Sequence, residues 1–390
     1  MSKKGLLRYD DLKWLKSTKK PKNSANSNLP PLRTVDLFAG CGALSLGVAE
    51  YCRRTKRKHV VEFASEWDAE ILEIFKSNFS PKESTSEDID SIINGSIRYG
   101  KLTKVEEQFL ETYPDAFNPD LLIGGPPCQG NSDLNNHTRR SDERNTLYFR
   151  MVRAAFVLQP KVVVIENVAT VIHSEQDVVN KTLKKFDKLE YEAKEVTLSA
   201  EEFGVPQSRQ RHFIIATHRD YGDTPNLSIF DTLKFDSEDV RTVQWAIEDL
   251  QDQLNVHPMM DKPTDANDEN QMRMDWLIDN DEYDLPNELR PDCHKDGHNY
   301  PAVYGRMYWK KPADTITTGF TSNGQGRFTH PNASPGRPIT PHEAARLQTF
   351  PDWFEFPTTK RGVLKKAIGN AVPPILAMYV AHVALQSIIN

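Results

Sequence analysis

The sequence predicts an open, doubly wound α/β sheet with a smaller, irregular second domain. Three observations carry that expectation. Between residues 33 and 218, short apolar runs alternate with helix-period segments, the pattern of strands joined by crossover helices. Polar, glycine-rich stretches follow those runs at 39–42, 66–68, 125–132 and 166–168, where open α/β sheets bind ligands. After Arg219 the alternation stops, and helical patterning returns only from Pro341.

Taken in order, residues 17–31 are rich in Ser, Lys, Asn and Pro without an apolar period, and they read as a flexible lead-in. Residues 34–38 form a short apolar strand, 39–42 a glycine turn and 43–53 a helix. A second strand, 59–65, leads to a helix over 68–79 with Ile71, Leu72 and Phe75 at helical spacing. Residues 120–124 are a third strand, running into Gly125, Pro126 and Pro127, and a helix spans 146–158. The run 161–165 has the continuous apolar character of a strand covered on both faces. One more strand covers 212–217. Residues 220–330 are irregular, acid-rich to about 290, then rich in Tyr, Arg, Gly and Thr. Helices follow at 342–350, 363–368 and 374–389. The expected division is a flexible basic arm (1–32), a body (33–218 plus 341–390) and a smaller domain (219–340).

A chain of 390 residues is long for one core and fits about two domains. With 38% hydrophobic and 27% charged residues it can bury a core in water. No apolar run approaches the roughly 20 residues of a membrane span, so no membrane partner is expected. The start Met1-Ser2-Lys3-Lys4 has no apolar stretch, so no secretory signal is expected either. The four cysteines form no C-x-x-C pair, which argues against a disulfide framework or a zinc knuckle and for a reducing interior. Net charge is -6, but it is segregated. Residues 1–33 carry nine Lys/Arg against Asp10 and Asp11, and residues 261–290 carry ten Asp/Glu against Lys262, Arg273 and Arg290. The overall charge therefore decides little about partners.

Four constellations carry chemistry. Asp36 to Gly42 is a strand running into a glycine turn and helix, which brings backbone N–H groups close to a ligand. It lacks the full G-x-G-x-x-G fingerprint, so a dinucleotide is not favoured, and a plain tight turn is the alternative. Glu66 follows the second strand, where an acid can accept hydrogen bonds from ribose hydroxyls, and Trp67 beside it can stack on a nucleoside or simply join the core. In Gly124 to Gly130, a cysteine sits among glycines and prolines, a poor core environment that points to a nucleophile rather than an inert thiol. Glu166 ends the next apolar strand, where burial would raise its pKa and let it share a proton; the alternative is a surface acid. Arg209 and Arg211 alternate before a strand and share a face suited to a carboxylate or phosphate, or to a merely exposed strand edge.

Together these resemble the DNA (cytosine-5) methyltransferase family, through an ordered motif series over nearly the whole chain. Phe38, Ala39, Gly40, Cys41 and Gly42 resemble its first motif, with Ala43 where a further glycine is common. Ser65 to Asp68 is similar to the second, and Asp88 and Ile89 to the third, with Glu87 replacing a usual glycine. Pro127, Cys128 and Gln129 match the catalytic motif, with Asn131 departing from the common Phe before Ser132. Asn145 to Leu147, Glu166 to Val168, Gln207 to Arg211, Arg337 to Asp352 and Gly369 to Val372 resemble later motifs in order, with Ala371 in place of a common Ser. Residues 1–32 and about 220–300 lie outside the match.

The resemblance implies the Rossmann-like fold of S-adenosylmethionine-dependent methyltransferases with a target-recognition domain. Its implied activity is methylation of cytosine C5 in a specific double-stranded DNA sequence. Cys128 would add to C6 of a flipped-out base, making C5 nucleophilic. Glu166 would contact N3 and the exocyclic amine, with Arg209 and Arg211 holding Glu166 and the target's O2 or flanking phosphate. Family positions contacting S-adenosylmethionine fall on Phe38, Ala39, Gly40, Gly42, Glu66, Trp67, Asp88, Ile89, Pro127, Leu147, Asn370 and Val372. DNA contacts would come from Gln129, Ser132, Arg140, Arg306 and Thr317. The polar segment 131–145 reads as a loop closing on DNA, or as an ordinary solvated loop.

Repulsion from phosphate makes residues 261–288 a poor DNA face, leaving Arg290, His294, Lys295, His298, Arg306, Lys310 and Lys311 as better candidates. The spacing of Cys293, His294 and His298 is poor for a metal, and no metal is expected. The basic arm would track phosphates, although residues 13–16 could instead dock as a short helix. The basic cluster 53–58 reads as a helix C-terminus favoured by its dipole. A monomer acting in the cytoplasm on nucleoid DNA, within a restriction-modification system and alongside a cognate endonuclease, is the expected setting. A tRNA methyltransferase on the same scaffold is disfavoured because the Cys-Phe-Thr tripeptide of that branch is absent. A catalytically silent DNA-binding module would have lost Cys128 or Glu166, and both are present.

Overall fold

A computed structural model of the 390-residue chain describes residues 11–21, 29–96, 100–127, 145–173, 177–251, 253–254, 256–295 and 302–389. Cys128, Gln129, Ser132, Arg140, His298 and the segment 131–144 lie outside the described residues.

The body is one seven-stranded sheet: β1 (Leu32–Leu37), β2 (His59–Ser65), β3 (Glu83–Thr85), β4 (Leu121–Gly124), β5 (Val162–Val168), β6 (Tyr191–Ser199) and β7 (Gln210–His218). Their order is β3-β2-β1-β4-β5-β7-β6. The first five run parallel, and β7 is antiparallel to both of its neighbours. Strand order reverses between β1 and β4, so a crevice opens beyond their C-terminal ends. The α/β expectation thus holds, with two strands added. β3 is only three residues long, and β6 is an edge strand interrupted by Glu192, Lys194 and Glu195, so neither shows an apolar run.

Both faces of the sheet are covered, which explains the continuous valines of β5. Val162 and Val164 face one core, Val163 and Ile165 the other. Numbering helices along the chain, α1 is Asp11–Leu15, α2 Ala43–Arg54, α3 Ala69–Phe79, α4 Lys104–Thr112, α5 Asn145–Leu158 and α6 Val178–Lys188. Residues 219–340 carry α7 (Ile229–Leu233), α8 (Val243–Ile247) and α9 (Asp268–Asp279), and the chain closes with α10 (Pro341–Leu347), α11 (Arg361–Gly369) and α12 (Pro374–Ile389). α12 lies against α2 so closely that a Cβ on Gly47 would collide with Ala377. α5 and α6 cover the opposite face.

One feature differs from expectation. Residues 11–20 are docked, not a free arm: Asp11 is 1% exposed, and Trp14 and Leu15 belong to the core. Arg54 and Arg241 clamp the Asp11 carboxylate at 2.6 and 2.5 Å, and Lys16 pairs with Asp249 at 2.9 Å. The helical alternative for residues 13–16 is the one realised. In the basic cluster at 53–58, Arg53 and Arg54 stand in the last turn of α2, as expected, and in addition pair with Glu50, while Arg57 reaches Asp120 and the Pro30 carbonyl.

Residues 219–340 contain short helices and turns, and no strand of the main sheet among those described. No break in the core marks position 219. Phe230 packs edge-on to Phe203, which also meets Tyr379 of α12. Among the described residues no single helix is long and apolar enough to cross a membrane.

Candidate active site

Five parallel strands deliver their C-terminal ends to one side, and the loops that leave them carry the site. After β1 the chain turns through Phe38 (φ 55°), Gly40 (φ 54°) and Gly42 (φ 91°), all left-handed. Glycine tolerates this conformation; Phe38 adopts it under strain of about 1 kcal/mol or more. A Cβ on Gly42 would strike Phe75 and Phe79, whereas one on Gly40 would meet nothing within 4 Å. The turn is therefore packed behind and open in front, with Ala39 tied down by its N–H to the Ser65 carbonyl at 2.9 Å.

Glu66, at the end of β2, joins two loops. The Gly40 N–H donates to its Oε2 at 2.9 Å and the Asp68 N–H to its Oε1 at 3.0 Å. Burial pushes its pKa up, opposed by these two hydrogen bonds. Each oxygen keeps a lone pair for a ligand hydroxyl. Trp67 beside it is 73% exposed, an open aromatic face of the kind a nucleoside ring stacks on. Asp88 is exposed beyond β3 while Ile89 is buried beneath it. On the other wall, α11 ends at Gly369 with Asn370 exposed and Val372 buried. α11 is pinned to the glycine turn by Cys41 Sγ–H donating to the Ala367 carbonyl at 3.3 Å, and to Asp68 by Lys366 at 3.2 Å. Leu147 is half-buried near the start of α5.

β4 and β5 run side by side, with Gly124 paired to Ile165. Glu166, the next residue, is 8% exposed and pairs with Arg211 Nε at 2.9 Å. A Cβ on Gly125 would sit 2.9 Å from Glu166 Oε2, so a larger residue there would push the carboxyl aside. Burial outweighs Arg211 and Arg209 and pushes Glu166 up, toward the form that carries a donatable proton. Asn167 donates from Nδ2 to the Pro126 carbonyl at 3.1 Å. Pro127, the last residue described before Cys128, is exposed.

Arg209 is placed differently from its expected partnership. It is 1% exposed and donates to the carbonyls of Ile316 (2.6 Å) and Gly369 (3.0 Å), acting on Glu166 through charge without a hydrogen bond to it. Gln207 extends the same junction, accepting from the Ile316 N–H at 2.7 Å and donating to Gln348 at 3.0 Å. Thr317, half-buried, follows directly and accepts from the Gly319 N–H at 3.2 Å. Gln207 and Asn167 had no assigned role in the sequence; their signal there was membership of the motif stretches that carry Arg209 and Glu166.

Arg306 corrects the expected DNA contacts. Its guanidinium is buried, bonded to the carbonyls of Pro331 and Leu277 and to Asp281, and stacked on Tyr283. Arg327 is similarly held by Asp284 at 2.6 Å and lies over Tyr308. The acidic segment thus neutralises buried arginines of its own domain. Among the described residues no group of His, Cys, Asp or Glu could hold a metal.

The geometry now has counterparts elsewhere. A family model described as C-5 cytosine-specific DNA methylase matches residues 32–386. The chain belongs to the C-5 cytosine-specific DNA methylase family. It is 40% identical over 382 residues to Type II methyltransferase M1.BsuMI of Bacillus subtilis, covering 98% of this chain and 86% of the relative. Similarity to Type II methylase M.HgiDII of Herpetosiphon aurantiacus is 31% over 276 residues, or 67% and 74% of the two chains. A solved DNA modification methyltransferase encoded within a prophage (E. coli) superposes with a TM-score of 0.64 at 25% identity, covering 92% of this chain and 99% of that one. This C-5 cytosine-specific DNA methylase is therefore a DNA cytosine-5 methyltransferase.

Proposed function

We propose that the enzyme transfers a methyl group from S-adenosylmethionine to C5 of a flipped-out cytosine in a specific double-stranded DNA sequence, through a covalent Cys128–C6 intermediate. The observation that carries the reading is the buried Glu166–Arg211 pair set against Gly125, three residues before Cys128. An acid held there meets the Watson–Crick edge of a base whose C6 faces the cysteine. Pairing inside a duplex would hide that edge, which is why the base must leave the stack.

The residues at the other end of the crevice fit the cofactor: an open glycine turn, an acid with spare lone pairs and an exposed indole. Bound S-adenosylmethionine supplies an electrophilic methyl. Glu66 would hold the ribose hydroxyls, Trp67 would cover the adenine, and Phe38 to Gly42, Asp88, Ile89, Pro127, Leu147, Asn370 and Val372 would complete the walls. At the base, the Cys128 thiolate forms the S–C6 bond and the ring's electrons move toward C5. Glu166 donates a hydrogen bond at N3 as negative charge develops there, and Arg211 keeps the carboxyl oriented. After C5 gains the methyl group, loss of its proton returns the electrons that expel Cys128. Gln129, Ser132, Arg140 and Thr317 would contact the DNA. The curated relatives' names, Type II methyltransferases, support a restriction-modification setting with a cognate endonuclease.

Trapping tests the reading. DNA carrying 5-fluorocytosine at the target has no C5 proton to lose, so the wild-type enzyme should remain covalently attached, and Cys128→Ser should form no adduct. Methylation without an adduct would overturn the covalent route. The target sequence itself would come from bisulfite sequencing of DNA from cells expressing the protein.

A further inference from the structure

We infer that Asp11 is a positioning residue for DNA binding: through Arg241 it fixes α8, and α8 in turn fixes the segment 309–317. The inference rests on the reading above that Thr317 contacts DNA.

Asp11 precedes the family match over residues 32–386, yet it is buried, and its two carboxylate oxygens go to different parts of the chain. Arg54, in the last turn of α2, donates to Oδ1 at 2.6 Å, and Arg241 donates to Oδ2 at 2.5 Å. Arg54 has a second carboxylate in Glu50 at 2.6 Å, whereas Asp11 is the one that Arg241 pairs with. Bonds between ionised groups fix direction as well as supplying energy. Arg241 also donates to the Gly204 carbonyl at 2.7 Å and lies over the rings of Phe235 and Trp245, so its guanidinium has one orientation. It stands two residues before α8. Two residues after α8, Asp249 pairs with Lys16 at 2.9 Å. Residues 11–16 thus hold α8 at both ends.

The first N–H groups of a helix have no partner inside it. In α8 those of Val243 and Gln244 donate to the carbonyls of Lys311 and Trp309, both at 2.9 Å, while Thr242 caps that of Trp245. Lys310 and Lys311 are exposed here. The chain then runs through Ala313, whose N–H meets the Pro206 carbonyl at 2.9 Å, to Thr317. The route from Asp11 to this segment is therefore one ion pair and the bonds of one helix terminus. Glu66 and Glu166 take no part in it, so the expected effect falls on DNA and not on cofactor.

The test is steady-state methylation by the full chain, at a temperature where each variant is folded by circular dichroism. Asp11→Asn keeps the size and one acceptor but loses the charge. Positioning predicts a KM for target DNA raised by about five- to tenfold, within the range of couplings inside one network, with kcat and S-adenosylmethionine affinity unchanged. Asp11→Glu, which restores the charge, should recover part of the loss. Lys16→Ala removes a half-buried partner at the other end of α8 and should give a smaller shift in the same direction; it decides the question if Asp11→Asn does not fold. In a background of Lys310→Ala, Lys311→Ala and Thr317→Ala, either substitution should change KM no further, because the contacts being positioned are gone. A merely structural role lowers the thermal midpoint and leaves KM unchanged, which overturns the inference. So does an equal rise in KM in the two backgrounds. If the triple background itself has the wild-type KM, the DNA reading of this segment fails first and this inference with it.

Discussion

Glu166 is buried at the end of β5, against Gly125 and paired with Arg211. Its carboxyl is shifted upward by burial, opposed by two arginine charges. Glu166→Gln keeps a donor at the base but loses the ability to change charge and the Arg211 ion pair. Methyl transfer should fall by about 10²- to 10⁴-fold, the usual worth of general acid–base assistance, with cofactor affinity unchanged in calorimetry. Equal rates for the two proteins would remove Glu166 from the mechanism. Glu66→Ala makes the complementary prediction. It deletes the acceptor for Gly40 and Asp68 as well as the one assigned to ribose, so S-adenosylmethionine affinity should drop by about 1–3 kcal/mol. Unchanged affinity would show that Glu66 only ties the loops together. Both residues were legible in the sequence because a lone acid directly after an apolar strand is conspicuous. Arg306 was misread for a related reason. Sequence shows charge but not its partners, and Asp281 lies 25 positions away.

At the scale of elements, α10 shows how a helix can be found by pattern yet explained only by structure. Thr340 caps it and Glu343 returns the capping-box bond, both readable as Thr-x-x-Glu. Its ion pairs to Asp261 and Asp249 are not readable, because they reach 81 and 97 residues back along the chain. His342 donates to Asp261 at 2.7 Å and to Asp352 at 3.0 Å, and Asp352 and Asp249 also hold Arg346. The two carboxylates outweigh burial and raise His342 to about 9 from an ordinary 6.5. Because the folded value is the higher one, its stabilisation is complete below about pH 6.5 and is lost as pH rises through about 9. Asp261 and Asp352 shift downward, so their share is lost only in acid. The expected outcome is a thermal midpoint that declines between pH 7 and 10 in the wild type and declines less in His342→Gln. Parallel curves for the two proteins would assign the alkaline loss to other groups. The strands β3 and β6 stayed hidden for a different reason: an edge strand buries little, so neither apolar run nor strict alternation is required of it.

Across the whole molecule, the segregated charge of the sequence resolves into internal pairing and a remainder that is free to meet DNA. The N-terminal segment, outside the family match, spends Asp11 on Arg54 and Arg241, and the acidic stretch spends Asp281 and Asp284 on Arg306 and Arg327. What remains exposed near the junction with the catalytic body is Lys310 and Lys311, just before residues 313–316 dock along 206–208. On the proposed function, in which Thr317 contacts DNA, these two exposed lysines are the candidate phosphate contacts. Replacing both with alanine should weaken DNA binding equally for specific and unrelated sequences, and should flatten the slope of log affinity against log salt by about 1 per lost phosphate contact. Arg306→Ala should behave in the opposite manner. It leaves two buried carbonyls without their donor, while the exposed Asp281 is left to solvent, so thermal stability falls by about 1–3 kcal/mol. At a temperature where the variant is still folded, its salt slope should match the wild type. Measuring the slopes of both variants by fluorescence anisotropy separates the roles: a reduced slope for Arg306→Ala with an unchanged one for the lysine pair would place the phosphate track on the buried side of this domain and reverse the assignment.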